Sequence, residues 1–195
     1  MILTLLDSRS RKNRWQIFLV LLLLKMEDEY IAQIKEWIES FVIRYNLCPF
    51  ARKVFIQDKI RYTTYVGNDL TDLANSFQDE LLFLKRVSAQ KVDTSFIILP
   101  HVLEDFSDYL DFIELANDLI FALDLRDYFQ IASFHPDYQF AGTSYEDVTN
   151  YTNRSPYPLL HLLREESISE ALLNYENPAD IPARNMERMR QVFNK

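Results

Sequence analysis

A chain of 195 residues with 48% hydrophobic side chains is long enough for one domain with a real core, and its two glycines, Gly67 and Gly142, leave no room for a GxGxxG dinucleotide fingerprint or a GxxxxGKS/T phosphate loop. The formal net charge is −8, and residues 69–127 hold 13 acids against 4 bases, so polyphosphates are repelled and nucleic acid is not an expected partner. The single cysteine, Cys48, rules out an internal disulfide and a cysteine-rich zinc site and fits a reducing cytoplasm.

Arg9, Arg11, Lys12 and Arg14 precede the apolar run Trp15 to Leu24, which is the charge order of a signal peptide. No small-residue cleavage site follows, and the run is about half the length of a membrane-spanning helix, so no stable span is expected. The plainer reading is an upstream extension, with translation beginning at Met26 and residues 26–195 forming the single domain; a hydrophobic leader is the alternative.

Beyond Met26, Ile31, Ile34, Ile38, Phe41, Val42 and Tyr45 recur at helical spacing, and that helix should stop before Pro49. Ile60–Val66 is β-branched and aromatic and reads as a strand. Gly67-Asn68-Asp69 is a turn followed by a cap, and Leu70, Leu73, Ala74, Phe77, Leu81 and Leu84 mark a second helix. Thr94–Leu99, closed by Pro100, reads as a buried strand. A third helix follows over residues 106–120, with Asp111, Glu114 and Asp118 on its wet side, and then a third strand over Tyr128–Phe134. The order β-α-β-α-β predicts an α/β fold with a small, mainly parallel three-stranded sheet flanked by helices, a ferredoxin-like arrangement being the alternative. The tail is dense in Pro, Asn, Tyr, His and Arg, and short helices are expected near 157–165, 168–174 and 182–193.

Ligands of parallel α/β sheets bind beyond the carboxyl ends of the strands. His101 and His135 fall there, and either is also at home as an ordinary loop histidine. On a helical wheel, Leu159, Leu160, Leu162 and Leu163 take one side of residues 157–165, and His161, Arg164 and Glu165 the other. His161 and Glu165 then share a face as metal ligands, as an acid/base pair with Glu165 orienting the imidazole, or as a plain solvated pair. Arg154 just before this helix can join its free N–H groups to hold a phosphate or carboxylate, with Asn150 and Asn153 nearby; alternatively it caps loop carbonyls. Arg52 is a further cation for an anion. Cys48 is placed at the carboxyl end of the first helix, where the dipole opposes a thiolate, so a packed thiol is the default and a nucleophile the alternative.

Asn46-Leu47-Cys48-Pro49-Phe50-Ala51, the run Ser133 to Phe140 (SFHPDYQF), the run Asn150 to Glu165 (NYTNRSPYPLLHLLRE) and Ile181-Pro182-Ala183-Arg184-Asn185 resemble, from about Trp37 to Asn185, the bacterial family catalogued as domain of unknown function 1415. The resemblance brings no established activity, and the cofactor is unknown. Its signature positions here are Cys48, His135, Asn153, Arg154, His161, Arg164 and Glu165, polar or reactive types that tilt the reading toward a site. Three functions follow. The first is an enzyme on a small anionic molecule, with Arg154 and Arg164 or Arg52 holding the anion and His135, His161 and Glu165 moving the proton. The second is a metal-dependent hydrolase or oxygenase with His135, His161 and Glu165 as ligands. The third is a non-catalytic interaction module. The first two require His135, His161 and Glu165 to converge.

Overall fold

The structure is a computed structural model that describes residues 3–173, 175 and 177–193. Met1 and Ile2 of the leader lie outside the described residues, as does Asn174, the last residue expected of the helix over 168–174. Four strands form one mixed sheet in the order β1-β2-β4-β3: β1 (Ile60–Thr64), β2 (Thr94–Ile98), β3 (Phe129–Phe134) and β4 (Leu159–Arg164). Six α-helices accompany it: α1 (Leu3–Trp37), α2 (Ala51–Ile56), α3 (Leu70–Arg86), α4 (Phe106–Ala122), α5 (Glu165–Leu172) and α6 (Ile181–Phe193). Helix α1 continues into a π-helical turn, Ile38–Ile43. No described helix is long and apolar enough to cross a membrane.

The three expected strands are present and share one direction, but the sheet is not a three-stranded parallel one. β1 pairs with β2 in parallel, while β4 inserts between β2 and β3 and runs antiparallel to both, so most pairing is antiparallel and the ferredoxin-like alternative does not hold either. The segment expected as a helix over 157–165 is this central strand. Its misreading has a physical cause. A strand covered on both faces carries apolar residues at nearly every position, and LLxLL sorts as well on a helical wheel as on a pleat. Pairing on both sides settles the strand: β2 and β3 take its backbone groups, and just before it the Pro158 carbonyl accepts from the Leu99 N–H at 3.0 Å.

Successive β4 side chains reach opposite layers. Leu160 and Leu162 join Leu73, Phe77, Leu81, Ile97, Tyr109 and Phe112 under α3 and α4, whereas Leu159 joins Ile34, Ile38, Phe96 and Ile98 under α1. Asp69 and Asp105 cap α3 and α4, each side chain accepting two backbone N–H groups. One side chain ties both layers of backbone together. The Tyr109 hydroxyl, fully buried, donates to the Leu159 carbonyl at 2.7 Å and accepts the Phe134 N–H at 2.9 Å. Tyr109→Phe keeps the ring and strands both groups, so a loss of about 2–3 kcal/mol is expected in urea denaturation; a change under about 0.5 kcal/mol would show that water replaces the hydroxyl.

Candidate functional site

His161 sits in the middle of β4 on the face covered by α1. It is register partner to Phe96 on one side and Ala132 on the other. Its ring stacks on Phe96 with centroids 3.9 Å apart and planes 11° from parallel, Phe96 stacks in turn on Tyr62, and Phe134, itself against Trp37, leans in at 6.0 Å. The Nε2 atom lies 2.7 Å from Thr94 Oγ1, which lies 2.5 Å from the Leu162 carbonyl. A threonine hydroxyl has one proton, and a carbonyl can only accept. The Thr94 proton therefore goes to Leu162, and the His161 ring must donate Nε2–H to Thr94. This fixes the tautomer and leaves the lone pair on Nδ1, which is buried and has no hydrogen-bond partner. Burial alone pushes the imidazole down to about 3, so it is neutral at physiological pH.

Four of the other signature residues, His135, Asn153, Arg154 and Arg164, have side chains bonded within the fold. His135 is fully buried against Tyr109 and Phe106 on the α4 side of the sheet. Its Nδ1 accepts the Asp137 N–H at 3.0 Å, so Nε2–H donates to the Leu103 carbonyl at 3.0 Å. Burial lowers its pKa, against smaller opposing pulls from the Leu103 and Glu104 backbone and from Asp137 and Asp105. Asn153 stitches the outer edge of β3: its amide donates to the Ser133 carbonyl and its own carbonyl accepts the His135 N–H. Asn150, fully buried, accepts from Phe140 N and Thr143 Oγ1 and donates to the Ser144 and Tyr145 carbonyls. Arg154 lies between the Tyr145 and Tyr151 rings and donates to the Tyr138 and Tyr145 carbonyls. No helix follows Arg154, so the expected anion site at a helix start is not formed; Ser155 bonds the Tyr157 carbonyl instead. Asp137 receives the Tyr145 hydroxyl at 2.6 Å, closing a loop that is knitted by its own side chains.

Arg164 reaches the Leu84, Val87 and Val92 carbonyls beneath α3. Glu165 begins α5 at the far end of β4, where it lines a shallow cleft of 420 Å³ with Asn117, Asp118, Phe121, Arg126 and Gln130. His161 and Glu165 therefore do not share a helix face. His135 and His161 lie on opposite layers, and the described residues contain no cluster of three His, Cys, Asp or Glu side chains that could hold a metal ion. The convergence required of His135, His161 and Glu165 is not formed. His101 is exposed and meets the Tyr30 hydroxyl at 3.1 Å. Arg52 is exposed on α2.

Cys48 is not at a helix carboxyl end: it lies between the π-helical turn and the start of α2. The residue reaches the surface, but the surrounding protein desolvates its thiol and pushes its pKa up, with the Phe50 and Ala51 N–H groups and Arg184 pulling the other way. The residue is exposed and not the packed core thiol expected, and it is desolvation rather than a dipole that disfavours its thiolate. Arg184 and Asn185 bind this loop directly, donating to the Asn46 carbonyl at 2.9 Å and the Leu47 carbonyl at 2.6 Å. Two sequence motifs 138 residues apart therefore meet as a clasp.

Two features escaped the sequence. Thr94 stands at the start of a strand in no recognisable motif, yet it decides the His161 tautomer. Glu80 is buried at 6% exposure on α3, taking Arg61 Nε at 2.9 and 3.1 Å and the Ser95 hydroxyl at 2.5 Å. Its position on the apolar face of α3 was the available signal.

Fold and site together define a three-layer α/β protein with one neutral, half-satisfied imidazole built into the central strand of its sheet. The chain belongs to the family described as Protein of unknown function (DUF1415), whose model matches residues 29–195. No curated protein and no solved structure matches it.

Proposed function

We propose that the protein acts on a small molecule bound against the α1 side of the sheet, with His161 as the working group. The observation that carries this is the buried Nδ1 lone pair without a partner. An unmet buried acceptor costs about 1–3 kcal/mol, so a fold that keeps one is paying for a use. Strongly perturbed titratable groups cluster at functional sites. The chemistry differs from a resting general base. An imidazole with a pKa near 3 holds a proton poorly at neutral pH. It serves instead as a fixed, uncharged acceptor that orients a donor group of the ligand. Support for an anion as that ligand is weak, because Arg154 and Arg164 are engaged with carbonyls away from His161.

A thermal-shift screen of small metabolites on the wild-type chain and on His161→Asn tests this. Compounds that stabilise the wild type are expected to lose their effect on the variant, the shift at saturating ligand being worth about 2–3 kcal/mol. Hits that stabilise both proteins equally overturn the assignment to His161. One observation favours an interaction module as the second reading. Helix α4 exposes Leu110, Leu115 and Phe121 among Asp108, Asp111, Glu114 and Asp118, a surface suited to a basic, apolar partner.

A further inference from the structure

Resting on the assignment to His161, we propose that this site takes an uncharged, flat, largely apolar molecule carrying an N–H or O–H group, which it donates to His161 Nδ1. Three observations carry the class of ligand. The first is polarity. Nδ1 is an acceptor by the tautomer argument, since Thr94 consumes the ring's only N–H, so a ligand without a donor leaves the unmet lone pair as it is.

The second is charge. On the α1 face the sheet presents Tyr62, Thr64, Thr94, Phe96, Gln130, Phe134 and His161 as its polar and aromatic side chains, none formally charged with His161 neutral. The side chains packed above them are Ile34, Ile38, Trp37 and Phe55. Lys35 reaches over this face with its Nζ 5.1 Å from the Tyr62 ring centre, two strands away from His161. A carboxylate or phosphate here would give up its hydration with no counter-charge to replace it, whereas a neutral donor gives up little. The third is shape. Tyr62, Phe96 and His161 form a continuous stack of near-parallel rings, with Phe134 and Trp37 beside it, which favours a planar body. The other buried side-chain atom without a partner among the described residues, Thr64 Oγ1, lies on β1, two strands from His161, and forms no part of this site. His161 is intermediate in exposure as a residue, while its Nδ1 is buried.

Three probes of one size separate these features: phenol is neutral with a donor, toluene has the same shape without one, and benzoate carries the ring as an anion. Each is titrated at pH 7 into the full chain labelled with 15N-histidine, and the His161 ring nitrogens are followed. Phenol is expected to shift the Nδ1 resonance and to bind about tenfold more tightly than toluene, the worth of one hydrogen bond, while benzoate leaves the ring unchanged. Equal binding of phenol and toluene, tighter binding of benzoate, or a ring that answers none of the three overturns the proposed class. The spectrum before any addition judges the underlying assignment separately. A protonated Nδ1 in the free protein defeats the acceptor reading itself, whereas an unprotonated Nδ1 indifferent to phenol defeats the ligand class alone.

Discussion

Replacing Arg164 with alanine is expected to destabilise the protein by about 3–5 kcal/mol, the range for stripping a buried charged group from its partners. The side chain is 6% exposed. Its Nη2 donates to the Leu84 and Val87 carbonyls at 2.7 and 2.8 Å, and its Nε to the Val92 carbonyl at 3.2 Å. Leu84 is in the last turn of α3 and Val87 is its C-cap. The guanidinium thus occupies the negative end of that helix and satisfies carbonyls that no intrahelical N–H can reach. Alanine leaves three inward-facing acceptors empty and a void beside Phe129. A loss of this size is a large share of the about 5–15 kcal/mol that holds an ordinary domain. Arg164→Lys should recover part of it, because an ammonium can reach some of these carbonyls but lacks the planar fork that reaches all three. Urea denaturation at pH 7 gives the answer: a loss below about 1 kcal/mol for alanine would mean the guanidinium is not the cap of α3, and would return Arg164 to the pool of ligand-binding cations.

The same residue shows what a sequence can disclose. Most strand and helix positions in the first two thirds of the chain were legible from local composition or period, the short helix α2 excepted. IRYTTYV is β-branched and aromatic, α3 repeats Leu73, Phe77, Leu81 and Leu84 every three to four residues, and Asp69 announces its cap. The stretch Leu159–Arg164 has no such signature. Once both faces of a strand are covered, alternation disappears, and a helical wheel sorts LLHLLR as neatly as a sheet does. From that one ambiguity the candidate site went astray. A helix would have placed His161 and Glu165 together and given Arg154 a row of free N–H groups; a strand turns Arg164 toward α3 and His161 toward α1 and hands Glu165 to the next helix. The proposal for His161 rests on a different ground, a tautomer set by Thr94, 67 residues earlier. Pairings across that separation are created by strand order, and strand order is where local pattern is silent. The polar residues of 135–154 posed the opposite difficulty. Asn150, Asn153 and Arg154 are chemically capable types, but a long connection between β3 and β4 must satisfy its own backbone, and these side chains are consumed in doing so.

Stability is expected to fall steeply as the solution is acidified below about pH 6.5, and His161 should account for a whole proton of that dependence. Burial holds its folded pKa near 3 and also lowers that of His135, while the unfolded chain titrates both near 6.5. The sign follows from proton counting. Above 6.5 neither state carries the protons and the folded state keeps its full stability. Between 6.5 and the folded values the unfolded chain binds protons that the folded one refuses, so stability drops by about 1.4 kcal/mol per pH unit for each such histidine. For His161 the accumulated loss on approaching pH 3 is about 3–4 kcal/mol, allowing for the ring's partial exposure. The groups in contact with it, Thr94, Phe96 and Phe134, do not titrate in this range, so the effect is assignable. His161→Phe preserves the stack on Phe96 and removes the proton. Its stability, measured by urea denaturation between pH 7 and 4.5, should decline with a slope shallower by about one proton than that of the wild type. Parallel curves would mean that His161 titrates near its ordinary value. Its Nδ1 would then be open to water and no longer an unmet acceptor, and the site on the α1 face would lose the physical ground on which it stands.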